Sequence, residues 1–193
     1  MRRRARRLET LACAISEGDD FFTRALDVRE CDPSGSIAIG DLLVSFVPTR
    51  HFVPASGVSV AGTGGSPRIV VSSDTRPNPE VVEAARGADL LVVEATLARV
   101  EDDADPRGHL AAGEALAIGR EAGVGRVLPI HLPTARRAAL RAAYRNARPP
   151  VTVAQPGLRL LVPRRLPSDP EHVPAIGRAS EAGSPGDHLP VPL

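Results

Sequence analysis

Three short apolar runs in this chain each end on a side chain that can hold a metal ion or move a proton. Ile69-Val70-Val71-Ser72-Ser73 gives way to Asp74, Leu90-Leu91-Val92-Val93 to Glu94, and Val127-Leu128-Pro129-Ile130 to His131. In an open α/β sheet the carboxyl ends of the strands share one edge, and ligands bind along that edge. His51 follows another apolar run, Leu42–Val47, and His109 stands in Gly108-His109-Leu110 ahead of a helical pattern. Taken singly, each has a plain reading. His51 is a solvated residue after a strand, Asp74 a turn former, Glu94 a strand-end acid, His109 a loop residue and His131 a core histidine bonded to backbone. Taken together, His51, Asp74 and His131 form a set of two imidazoles and a carboxylate that suits a divalent ion such as Zn²⁺. An Asp that bridges two metals would need such an exposed strand-end position.

The elements that would position these residues follow from pattern and punctuation. Residues 1–18 read as a helix, with Leu8, Leu11, Ala12 and Ile15 on one face. Residues 24–31 read as a weak strand, Ile37–Asp41 as a short strand and turn, and Leu42–Val47 as a further strand. Val58–Ala61 and Arg68–Ser72 flank a Gly-rich turn as a hairpin. The pattern then changes to alternating helices and strands. Asn78 and Pro79 open a helix that Gly87 ends. Ala88–Val93 is a strand, 111–122 a helix weakened by Gly113 and Gly119, and Arg126–Ile130 a strand. A helix from Thr134 to Ala147, capped by Thr134, precedes two closing strands, Val151–Ala154 and Leu158–Val162, around the turn Gln155–Gly157. The expected class is α/β (α+β): a β-rich, antiparallel entry, then helices packed on a sheet.

Composition sets outer bounds. The chain has 193 residues, 42% apolar but only 3% aromatic, so a core must come from Leu, Val, Ile and Ala. A net charge of +1 gives no global electrostatic case for nucleic acid or a membrane surface. All 24 basic residues are Arg, which reads as codon bias rather than selection for phosphate binding. Cys13 and Cys31 have no metal-motif spacing, and no apolar run reaches the ~20 residues of a membrane span. A cytoplasmic location is the default expectation. From Pro163 the chain turns Pro- and Gly-rich, so residues 163–193 read as a disordered tail carrying His172 and His188, after a domain over 1–162.

From about Asp27 to Val162 the chain resembles the later part of a metallo-β-lactamase-fold hydrolase. It is most similar to the ribonuclease Z and related phosphodiesterase branch. Five blocks in order carry the resemblance: Val47–Pro54, Ser72–Thr75, Ala88–Thr96, Gly108–Ala115 and Leu128–His131. The resemblance implies a partial αββα sandwich and a pair of metal ions, zinc with Mn²⁺ or Fe²⁺ as alternatives. His51 would bind the first metal, Asp74 would bridge both and His131 would bind the second. His109 would be the non-ligand histidine at the scissile phosphate, and Glu94 the carboxylate that orients a histidine, so these two are the candidate catalytic residues. The implied substrate is a phosphodiester, such as the 3′ extension of a transfer RNA precursor, acted on by a monomer or a homodimer away from membranes.

Two departures qualify that resemblance. The superfamily's His-x-His-x-Asp-His block does not occur, and residues 1–50 contain no histidine. The expectation is therefore a chain lacking its first metal segment and first sheet, with activity impaired. Second, Ala111 stands where the branch carries Thr. A non-catalytic remnant acting as a binding module is the alternative function. A Rossmann-like domain is disfavoured because Gly62-x-Gly64-Gly65 has the wrong spacing.

Overall fold

Two kinds of strand meet in one sheet, and their junction sets where the chemistry lies. The structure is a computed structural model that describes residues 29–63, 66–103 and 106–163, together with Arg7, Thr10, Leu11 and Ala14. The chain divides into two units, Met1–Pro33 and Ser34–Leu193. In the first, Arg7, Thr10, Leu11 and Ala14 are helical, and the remainder of the expected 1–18 helix lies outside the described residues. Arg29–Cys31 form no strand, and the rest of the expected 24–31 strand lies outside the described residues, as does the expected tail beyond Pro163.

In the second unit, β1 (Ser36–Ile39), β2 (Leu42–Pro48), β3 (Ser56–Gly62) and β4 (Arg68–Val71) form an antiparallel meander. After β4 come α1 (Pro79–Ala85), β5 (Leu90–Glu94), α2 (Ala112–Glu121), β6 (Val127–Ile130) and α3 (Arg137–Ala143). The sheet order is β1-β2-β3-β4-β5-β6, and β4, β5 and β6 run parallel. Val71 pairs with Val92, and Glu94 with Ile130, so the carboxyl ends of β4, β5 and β6 line one edge. Parallel strands are covered by their crossover helices and so read as continuous apolar runs. Val70, Leu91, Val93 and Val127 accordingly share a core cluster with Val81, Val82 and Ala85 of α1 and with Ala115, Leu116 and Ile118 of α2.

Local chemistry explains the helix ends. Asn78 caps α1, its Oδ1 accepting from the Glu80 amide at 3.2 Å, while its Nδ2 donates to the Pro48 carbonyl at 2.7 Å. One side chain thus starts the helix and ties it to the end of β2, three residues ahead of His51. At the other end, Arg68 donates to the carbonyls of Ala84 and Arg86, which the helix leaves unpaired. Burial pushes the Arg68 guanidinium below its usual value, and Asp89 opposes that shift. Gly119, which weakens α2 by propensity, has a packing reason: a Cβ there would collide with Val127 Cγ2 of β6.

Two sequence expectations are corrected at the carboxyl end. Thr134 caps nothing; Pro133 holds the cap position, and its carbonyl accepts from the Arg136 amide at 3.0 Å, which tightens Thr134–Arg136 into a 3₁₀ turn. α3 follows over Arg137–Ala143 only and stops at Tyr144, short of Ala147. The two closing strands do not form either. Val151 makes a single parallel bridge to Val127, with the Val127 amide donating to the Pro150 carbonyl and the Thr152 amide to the Val127 carbonyl, but Pro129 of β6 has no N–H to continue the ladder. Residues 158–163 pair with no strand, and Leu161 is 94% exposed.

Candidate active site at the carboxyl edge of the sheet

The backbone is strained at the two turns that carry the metal-capable residues. Ser73, directly before Asp74, has φ 57°, and His131 has φ 58°. Non-glycine residues adopt this left-handed region rarely and at a cost, and such outliers cluster at functional sites. The Asp74 turn is also fastened to the His51 segment. The Arg50 amide donates to Thr75 Oγ1 at 3.0 Å, and the Arg76 amide donates to the Arg50 carbonyl at 2.9 Å.

The five side chains singled out from sequence converge. The ring centroids of His51 and His109 lie 4.9 Å apart, and those of His109 and His131 5.7 Å apart. Asp74 Oδ1 lies 3.2 Å from His131 Nδ1. Ligand atoms of His51, Asp74 and His109 fall within 4.8 Å of one another, as do those of Glu94, His109 and His131.

Each imidazole is oriented through Nδ1. His51 Nδ1 donates to the Gly108 carbonyl at 3.0 Å. His109 Nδ1 donates to Glu94 Oε1 at 3.1 Å. Thr96 Oγ1 gives its proton to Glu94 Oε2 at 2.9 Å, and so accepts from His131 Nδ1 at 2.9 Å. With Nδ1 taken in all three rings, Nε2 is the nitrogen left to bind a metal or handle a proton.

Glu94 is fully buried, and its two oxygens accept from four donors: the Thr75 amide, His109 Nδ1, the Thr96 amide and the Thr96 hydroxyl. A buried carboxylate survives only with such partners. Its oxygens are committed to those donors, which fits an orienting role rather than a ligand role. The donors that remain are His51, Asp74, His109 and His131, a set whose chemistry fits a divalent ion; His109 belongs to both clusters, and Asp74 lies in the cluster of His51 and 3.2 Å from His131 Nδ1.

Sequence reasoning did not single out the residues that hold this arrangement. Asp103 Oδ2 accepts from the amides of Gly108 at 2.9 Å and His109 at 3.2 Å, fixing the loop that serves both His51 and His109. Thr75 and Thr96 sit one and two residues past the acids Asp74 and Glu94, and that adjacency was the available signal. Ala111 offers no cap to α2. Glu114 supplies one instead, accepting from the Ala111 amide at 2.9 Å while paired with Arg107.

Comparison with known proteins agrees with this geometry. A family model described as "Beta-lactamase superfamily domain" matches residues 3–132. A ribonuclease Z of Myxococcus xanthus is 40% identical over 170 residues, which are 82% of this chain and 54% of that protein. A ribonuclease Z of Methanothermobacter thermautotrophicus is 47% identical over 75 residues, covering 36% of this chain and 24% of that protein. The chain therefore spans at most about half the length of these relatives. Among solved structures, the metallo-β-lactamase fold protein YhfI from Bacillus subtilis superposes with a TM-score of 0.56 at 26% identity, over 65% of this chain and 52% of that one. The short form of human tRNase Z does so with a TM-score of 0.53 at 21% identity, over 67% and 48%, a likeness of fold. With its histidines and acids on the carboxyl edge of a mixed sheet and the family model matched across most of its length, the chain belongs to the beta-lactamase superfamily and is similar within it to the ribonucleases Z.

Proposed function

We propose that this chain carries part of the machinery of a metal-dependent phosphodiester hydrolase. The observation that carries the reading is the buried Glu94 holding His109 beside Asp74 and His131. His51, Asp74 and His131 would hold the metal, zinc first by ligand type, with Mn²⁺ or Fe²⁺ as alternatives. Divalent ions, when bound, lower the pKa of water and offset phosphoryl charge. His109, with Nδ1 fixed by Glu94, presents Nε2 to the leaving oxygen, and as the imidazolium, protonated on both nitrogens, it can deliver the Nε2 proton there and return to the neutral ring. The likeness to ribonucleases Z favours the 3′ extension of a transfer RNA precursor as substrate. The net charge of +1 favours a smaller phosphodiester, since RNA binding usually needs a basic surface.

A second reading rests on the ligand count. Without a His-x-His-x-Asp-His block, this chain offers each of two ions one histidine and a shared Asp74, where zinc usually takes three or four ligands. That favours a non-catalytic binding module. Hydrolysis of bis(p-nitrophenyl) phosphate and of a transfer RNA precursor with a 3′ trailer, measured with the full chain in zinc or manganese, separates the two. Turnover that falls in His109→Ala supports the hydrolase. Neither metal uptake nor turnover sinks it in favour of the module.

A further inference from the structure

Beside His131, on the side of the sheet's last connection, lies a cleft of about 220 Å³ outside the cluster of His51, Asp74 and His109. Its polar lining is His131, Arg137 and Gln155; its apolar lining includes Leu132, Ala154 and Pro156, and none of these described lining residues is acidic. Two features make it more than a surface dent. Arg137 Nε is buried and makes no hydrogen bond. Buried donors in folded proteins are almost always paired, so an orphan in a side chain that lines a cleft points to a missing acceptor. Gln155 is held as well: its Oε1 accepts from Arg141 Nη2 at 2.6 Å. With Oε1 turned to Arg141, Nε2 is left as a free-standing donor group of the amide. The cleft thus joins a guanidinium and an amide N–H₂, both donors, next to an imidazole.

We propose that this cleft is an oxyanion site, phosphate in kind, held by Arg137 and Gln155. A planar guanidinium with an unsatisfied N–H matches a tetrahedral oxyanion by charge-assisted hydrogen bonds. The volume suits a single phosphate group with a small substituent; whole small-molecule pockets run to about 300 Å³ and above. His131 lines both this cleft and the Asp74 cluster, so an anion here and a phosphodiester at Asp74 can belong to one ligand. That last link rests on the hydrolase reading; the anion site itself does not.

The test is a titration of inorganic phosphate into the ¹⁵N-labelled full chain, followed by NMR at the backbone amides of Leu132 and Gln155 and at Arg137 Nε–H. Saturable shifts at these positions are expected. Arg137→Ala should weaken phosphate binding about tenfold, the worth of one charge-assisted hydrogen bond. Gln155→Glu should abolish it, because it places a carboxylate in the cleft, while the new acid pairs with Arg141 and keeps the segment folded. Phosphate that shifts none of these signals, or binds equally to both variants, overturns the inference. The hydrolase reading fails differently: phosphate held at the cleft with no diester turnover leaves the anion site standing, and turnover without cleft binding removes the anion site alone.

Discussion

Glu94 Oε1 and His109 Nδ1 lie 3.1 Å apart, the carboxylate fully buried and the imidazole 18% exposed. The pair couples the core to the site. Glu94 closes β5, where its backbone pairs with Ile130, and its side chain reaches the loop before α2. Any motion of His109 therefore strains a bond anchored in the sheet. The same carboxylate takes the Thr75 amide, one residue from Asp74, and the hydroxyl of Thr96, which bonds His131. One buried acid thus sets the positions of three candidate site residues.

Glu94→Gln tests that coupling. An amide keeps the shape but replaces one acceptor oxygen with an N–H₂ that faces existing donors. At least one buried donor then loses its partner, at a cost of about 1–3 kcal/mol. Urea unfolding should show that loss, and the His109 ring signals should broaden or shift. An unchanged midpoint with unchanged His109 signals would mean that the carboxylate's charge is not needed.

How much of this was legible in sequence depended on range. The strand-end residues Asp74, Glu94 and His131 were readable because continuous apolar runs mark parallel strands, and parallel strands bring their ends together. Asn78 and Pro79 gave the α1 start because capping is a local event. The helix expected from Thr134 and the closing strands after Val151 failed for a shared reason. Pro133 takes the cap position and Pro129 removes an N–H from β6, and what each does depends on which distant segment lies opposite, which no local pattern reveals. The roles of Asp103 and Gly108 were hidden similarly, since their bonds to the His109 amide and the His51 ring join distant segments.

Gly108→Ala should disturb the site more than the fold. A Cβ at 108 would lie 2.5 Å from Phe52 Cε2 and 2.7 Å from His51 Nδ1. Both rings must move, and overpacking of this kind costs about 1–3 kcal/mol. Because the Gly108 carbonyl orients His51, the expected result is a weakened zinc affinity with far-ultraviolet dichroism retained. Wild-type affinity by calorimetry would show that the loop yields instead.

Asn78→Ala removes two bonds at once. Loss of an N-cap costs about 1 kcal/mol. The Pro48 carbonyl also loses its Nδ2 donor, so the total should exceed a cap loss at an exposed helix. Thermal unfolding would measure it, with Asn78→Asp as the control: that variant keeps the cap acceptor but not the donor. If Asn78→Asp is as stable as wild type, the tie to β2 contributes nothing.

Asp74 and His109 should separate metal binding from turnover. Asp74 lies against His131 at 3.2 Å and within the His51 cluster, so Asp74→Ala removes an acid that reaches both histidines. His51 and His131, without the acid that reaches both, are two ligands, below the number that zinc needs. Metal content after dialysis should drop to background, and any diesterase rate with it. His109→Ala leaves His51, Asp74 and His131 in place, so metal content should hold. The rate should fall by about 10²–10⁴-fold, the range for loss of a positioned acid or base. Loss of metal in His109→Ala would instead make His109 a ligand. That outcome would move it from the leaving oxygen into the cluster it shares with His51 and Asp74, and Glu94 would then orient a ligand rather than a proton donor.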